Sequence, residues 1–347
     1  MTDMSFTAGD ARRLGAPGEA LRWLLRHPPV FTALLIVAVS VVVGSINPAF
    51  WQVSNLFDIL RASVVRGLFA LGVLSVLAAG GIDVSFTAIA ALVMYGLTKA
   101  LLLWAPGLPM PAIVVLGALC GAMLGAVNGL LVDLLRAPSL IVTIGTQYVI
   151  RGFLLTFVGT ALVMNIPPAL DSFGRVSLLT YSTVDGALTE LPAAVLVLLA
   201  AAVLTWALLN RMLMGRGIYA LGGSPQIAER LGFRLRTLSV FVFAYAGLLA
   251  GVAGIMHVTL NRLANPTDLA GTELDVIAAV VLGGTRITGG SGTVLGTMLG
   301  VILITLVKNV LILVGIPSSW QLAIVGAFII LAGLLFSIKL TAASRTR

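Results

Sequence analysis

Along most of this chain the polar residues do not recur with a helical or strand period. They are swept out of long apolar blocks. Uncharged runs cover 28–57, 100–132, 191–210, 237–261 and 309–338, each long enough for the roughly 20 residues of a spanning helix. Blocks apolar on every side predict helices within lipid, where an open sheet edge has no partners. A β-barrel would show short alternating segments instead. Candidate spans fall near 30–48, 58–80, 86–104, 112–133, 138–158, 191–209, 237–260, 272–285, 293–315 and 320–338. The expected fold class is therefore all-α, a polytopic integral membrane protein with about ten transmembrane helices. The stretch 272–285 is the weakest. At roughly 20 Å it falls short of the ~30 Å hydrocarbon core, so it is expected to enter and stop partway.

Composition agrees, with 59% of residues hydrophobic and only 10% charged. The net charge of +8 reads as basic residues gathered in cytoplasmic loops, and no nucleic-acid partner is expected. Segment 210–236 carries five arginines against the single Glu229, so it is placed in the cytoplasm. Segment 159–190 holds Arg175 against Asp171, Asp185 and Glu190, which places it in the periplasm. Both termini then lie inside: a cytoplasmic segment 1–27, a single transmembrane domain 28–338, and a cytoplasmic tail 339–347. The arginines of 1–27, followed by a full-length apolar run, read as a retained signal anchor. The single cysteine and two histidines exclude a disulfide framework and a Cys- or His-rich metal centre. No enzyme motif is present and no cofactor is expected. TGGSGT at 288–293 lacks the lysine and the preceding strand of a phosphate loop.

Two glycine-rich breaks stand out. GGIDVS at 80–85 and GGTRITGGSG at 283–292 each end a helix expected to descend from outside. Interruptions at corresponding places in two halves point to a transport site. Candidate pathway residues are Gly80, Gly81, Asp83, Ser85, Asn128, Gly283, Gly284 and Thr285. Asp83 has two readings, a pathway carboxylate or a cap that accepts N–H bonds near Ser85 as the next helix starts; the cap is favoured. Asn128 suits an interhelical hydrogen bond. Arg286 is expected to snorkel to the headgroups or to bias its loop towards an anionic partner, and Lys308 to snorkel outward or to contact substrate.

The remaining strong feature is GGSPQIAERLG at 222–232. Ser224 suits an N-cap, Pro225 the first helical position and Gly232 the position past the end. A rigid capped turn in a long cytoplasmic loop suggests a docking surface for a soluble partner.

These segments carry a resemblance. GGIDVS, NGLLV (128–132), APSLIVTIGTQYVIRG (137–152), GGSPQIAERLG, GGTRITGGSGTVLGTMLG (283–300) and VGIPSSWQLAIVGAFIILA (314–332) resemble the permease subunits of bacterial ABC importers for monosaccharides. The ribose, xylose and autoinducer-2 permeases belong to that group, and branched-chain amino acid permeases are more distant. The resemblance implies a second permease subunit, a periplasmic solute-binding protein and separate ATPase subunits. It also implies that Gly223, Ser224, Pro225, Gln226, Ala228, Glu229, Arg230 and Gly232 form an ATPase coupling helix. Family members commonly place small residues where this chain has Phe86-Thr87-Ala88, so Phe86 and Thr87 are expected to reshape the pathway. Asparagine is usual where Lys308 stands. The alternatives are a stand-alone secondary transporter, which would need more embedded ionisable groups, and an ABC permease for a nucleoside or other non-sugar solute.

Overall fold

The computed structural model describes residues 28–182, 188–313 and scattered positions between 315 and 330. Helix α1 (Pro28–Ile46) is followed by a short 3-10 turn, then by α2 (Val53–Ala78), α3 (Phe86–Trp104), α4 (Met110–Leu135) and α5 (Ser139–Phe153). A π turn, Leu154–Val158, extends α5. After an extramembrane excursion come α7 (Ala194–Arg211), α8 (Leu213–Gly223), α9 (Pro225–Arg230), α10 (Leu235–Asn261), α11 (Glu273–Leu282) and α12 (Val294–Leu313). Among the described residues eight helices are long and apolar enough to cross a membrane: α1 to α5, α7, α10 and α12. They correspond to eight of the expected spans. The ninth, 272–285, contains α11, whose ten residues reach about 15 Å, half the hydrocarbon thickness. The tenth, 320–338, falls largely outside the described residues, as do segments 1–27 and 339–347.

Polarity is arranged for lipid. Val37, Val41, Leu119, Met123, Val149, Phe157, Leu199 and Val203 are exposed on outer helix faces, an apolar surface that needs lipid or a partner to cover it. Helix α2 is apolar on all sides in its second half and is buried from Gly67 to Ala78, as a central helix should be. Its neighbour α10 crosses α4 at unusually close range. Gly117, Gly121, Gly125 and Gly129 of α4 recur every fourth residue; the first three face Gly247 and Gly251 of α10, and Gly129 faces Ser239 and Val240. A Cβ on Gly121 would lie 2.1 Å from the Gly247 carbonyl oxygen, and one on Gly251 would lie 2.0 Å from that of Gly117. Without a hydrophobic drive between helices in lipid, such backbone contact holds them together.

Segment 159–190 corrects the all-α expectation. It carries α6 (Pro168–Gly174) and an antiparallel hairpin of β1 (Ser177–Ser182) and β2 (Leu188–Pro192), with Thr180 opposite Glu190 and Tyr181 opposite Thr189. Most of its β-forming residues lie outside the apolar blocks, where a two-stranded edge is free to meet water. Asp171 of α6 ties the excursion to the end of α10, accepting from Arg175 at 3.1 Å and Arg262 at 2.8 Å. Hydrogen bonds from Arg175 and then Arg262 hold its carboxyl below the usual aspartate range. The folded value is depressed, so this tie is present above the ordinary carboxylate range. It is lost as pH falls through the lowered value.

Candidate functional site

The first break is satisfied by its neighbours. Gly80 ends α2 at φ 83°, a conformation that favours glycine. The following extended stretch has no helical partners for its N–H groups, and lipid offers none. Helix α5 supplies them: the Ile82 N–H donates to Ser139 Oγ at 2.8 Å, and the Val84 N–H donates to Thr143 Oγ1 at 3.4 Å. Asp83 is only 2% exposed, and its Oδ1 accepts from the Ser85 N–H at 2.7 Å and the Ser85 hydroxyl at 2.6 Å. Asn128 of α4 donates to Ser85 Oγ at 2.6 Å. Asp83, Ser85 and Asn128 thus form one buried cluster that fixes the start of α3. Asp83→Asn is expected to fold and retain most activity, since an amide oxygen accepts the same bonds. Asp83→Ala should lower stability by about 1–2 kcal/mol, read in the melting temperature of the purified chain. Loss of transport by Asp83→Asn at normal membrane levels would instead require a charge in the pathway.

The second break follows α11. Gly284, Gly289 and Gly290 all have positive φ, and the turn closes with the Arg286 N–H donating to the Ser291 carbonyl at 3.3 Å. Gly283 packs on the backbone of Gly296, and Thr285 is buried. The two breaks then meet. The Gly290 N–H donates to the Ala78 carbonyl at 2.9 Å, and a Cβ on Gly289 would stand 2.7 Å from Gly80 Cα and 2.8 Å from Gly222 Cα. Three chain segments, two breaks and the end of α8, therefore touch backbone to backbone. The Tyr219 hydroxyl adds a 2.8 Å bond to the Gly292 carbonyl.

Helix α9 starts three residues beyond Gly222 of this junction. Ser224 is its N-cap, with a side chain that accepts from the Ile227 N–H at 3.4 Å, and Pro225 is its first residue. Gly232 has φ 85°. Ala228 is buried, whereas Gln226, Ile227, Glu229 and Arg230 face outward. A cavity of about 420 Å³ beside the junction is lined by Gly80, Gly81, Asp133, Ser139, Gly222 and Pro225.

Thr87 belongs to a different cluster. Its hydroxyl donates to Glu273 Oε1 at 2.5 Å, and the same oxygen accepts from Gln147 at 2.7 Å and Arg151 at 2.5 Å. One buried carboxylate at the start of α11 thus joins α3 and α5. Phe86, expected to reshape the pathway, is 1% exposed and packs on Phe69 with ring centroids 5.0 Å apart, because the first turn of α3 faces central α2. Lys308 does not snorkel but pairs with Asp275 of α11, a nearer charge than the headgroups.

Glu273, Gln147 and Arg151 come from segments more than a hundred residues apart, and no local pattern in the sequence joins them. The glycines at every fourth position of α4 were a legible signal for its seam. At the end opposite α9, a second cavity of about 330 Å³ is lined by Asp58, Arg61, Arg66, His257, Asn261 and Asp268.

A bundle of apolar helices, interrupted twice and carrying a half-length helix, is the architecture of a membrane transport protein. The chain belongs to the branched-chain amino acid transport system / permease component family, whose model matches residues 55–333. It is 31% identical over 313 residues to the ribose import permease protein RbsC of Escherichia coli K12, covering 89% of this chain and 93% of that one. Identity to the protein of the same name in Bacillus subtilis strain 168 is 34% over 309 residues, covering 88% and 91%. Identity to the autoinducer 2 import system permease protein LsrC of Enterobacter sp. strain 638 is 32% over 316 residues, covering 91% and 88%. No solved structure matches.

Proposed function

We propose that this chain is the transmembrane permease subunit of an ATP-binding-cassette importer in the bacterial inner membrane. It moves a monosaccharide or similar small polar solute from periplasm to cytoplasm by alternating access. A second permease subunit, identical or sister, completes the pathway, and a periplasmic solute-binding protein delivers the cargo. ATP is hydrolysed on separate ATPase subunits, so this chain performs no covalent chemistry. The five arginines of 210–236 orient α9 to the cytoplasm, which turns the hairpin and the cavity at its end to the periplasm. The ribose and autoinducer 2 import named for the relatives supports a sugar-like cargo.

The glycine junction carries this reading. Helix α9 offers an outward face to an ATPase, and the backbone two residues before its cap, at Gly222, rests on both helix breaks. Displacement of α9 reaches Gly80 and Gly289 without a flexible side chain between. ATP binding and release then bias two arrangements of the breaks. Gln226→Ala combined with Glu229→Lys is expected to reduce co-purification of the ATPase about tenfold or more, as loss of an exposed hot spot does. Unchanged assembly with unchanged transport-coupled hydrolysis would remove the docking role.

A further inference from the structure

Helix α2 carries three charges, Asp58, Arg61 and Arg66, before its apolar stretch from Gly67, on a segment that otherwise reads as a membrane span. Arg61 donates to the Leu260 carbonyl at 2.6 Å and so braces α2 against the end of α10. Asp58 and Arg66 make no such brace. Arg66 makes one hydrogen bond, 3.4 Å to the Ala62 carbonyl of its own helix, and feels the charge of Asp275 of α11 without pairing with it. Among the described residues Asp58 makes neither a hydrogen bond nor an ion pair. Both line the cavity of about 330 Å³ at the hairpin end, together with Ala62, Val65 and Phe69. These positions are i, i+4, i+7, i+8 and i+11, a single helical face. A face with charges of both signs does not turn to lipid. Opposite it, Asn261 and Asp268 reach His257 at 3.1 and 3.4 Å, which adds further donors and acceptors to the wall.

The charges on this face constrain the occupant. Arg66 offers only donors and Asp58 only acceptors, and together they sum to zero. A neutral solute with neighbouring hydroxyls satisfies both, accepting from the guanidinium and donating to the carboxylate. A phosphorylated solute would meet Arg66 but be repelled by Asp58 and Asp268. The volume lies at the lower end of the range for small-molecule sites, which suits a monosaccharide and excludes a much larger cargo. We infer that this cavity is a binding site for a neutral polyhydroxylated solute, with Arg66 donating to its hydroxyl oxygens and Asp58 accepting from its hydroxyl groups. This rests on the permease reading, in which the site holds cargo at the outer end of the pathway.

The test uses the full chain purified without its ATPase. Cys120→Ser removes the one native cysteine, and Ala62→Cys sets a thiol on the cavity wall. The rate of maleimide labelling is measured against D-ribose, D-xylose and D-ribose 5-phosphate. The neutral sugars are expected to slow labelling and the phosphate to leave it unchanged. Arg66→Gln should raise the protecting sugar concentration about tenfold or more, as loss of a charged hydrogen bond does. Asp58→Asn should weaken protection by the sugars to a similar extent and let the phosphate protect, a change of selectivity that mere structural damage does not produce. No protection by either sugar, equal protection by the phosphate, or unaltered protection in both variants would overturn the assignment. The readout is independent of ATPase docking: failed protection with intact ATPase co-purification discards the site alone, whereas the reverse pattern discards the importer reading.

Discussion

Gly222→Ala is expected to deprive the chain of most of its folded population, whereas Gly223→Ala, one residue on, should leave it intact. A Cβ on Gly222 would stand 2.0 Å from the Ala78 carbonyl oxygen and 2.6 Å from the Gly290 nitrogen. Neither is a side chain that rotates away, and the Ala78 carbonyl already holds the Gly290 N–H at 2.9 Å. One methyl group therefore forces three backbone segments apart and breaks the bond between the helix breaks. The cost should be about 3 kcal/mol or more, at the upper end of overpacking effects. A Cβ on Gly223 meets nothing within 4 Å, and it closes helix α8, where alanine is the better helix former. That variant should change stability by less than about 0.5 kcal/mol. Thermal unfolding of the detergent-purified chains, with solute uptake in membranes, measures both. Equal behaviour of the two variants would mean that the junction does not carry the contact described.

The second large effect is expected at Glu273. Its Oε1 accepts from Thr87, Gln147 and Arg151, and the Arg151 and Glu273 side chains are 28% and 11% exposed. Glu273→Ala leaves a partly buried guanidinium without its counter-charge, which costs about 3–5 kcal/mol when a buried pair is broken from one side. Glu273→Gln keeps an acceptor for Thr87 and should cost less. Replacing both partners, Glu273→Ala with Arg151→Met, should recover part of the loss, because the stranded charge is removed too. A double-mutant cycle on melting temperature reads the coupling, and strictly additive losses would show that the two side chains do not act as a pair.

The contrast between Gly222 and Gly223 shows how far the sequence could be read. Blocks without charge announce helices in lipid, and a cap followed by proline announces α9, because each signal is local. Which of two adjacent glycines meets another backbone is decided by segments 60 or more residues away, and no local pattern records that. The same limit hid the Glu273 cluster, whose members come from α3, α5 and α11. The orientation of Phe86 has a related cause: its place beside a break is visible in sequence, but the direction it faces is set by how α3 packs against α2. The four glycines of α4 are the opposite case, a regular signal present from the start.

That seam also orders the making of the protein. Gly121 and Gly247 are more than a hundred residues apart, so during synthesis α4 enters the bilayer long before α10 exists. Until then its glycine face has no backbone to meet, and α2 lacks one of its principal neighbours. Closing a contact so distant along the chain is slow. The nascent permease is therefore a set of inserted but unlocked helices for most of its translation, and α10 is the keystone that completes the arch.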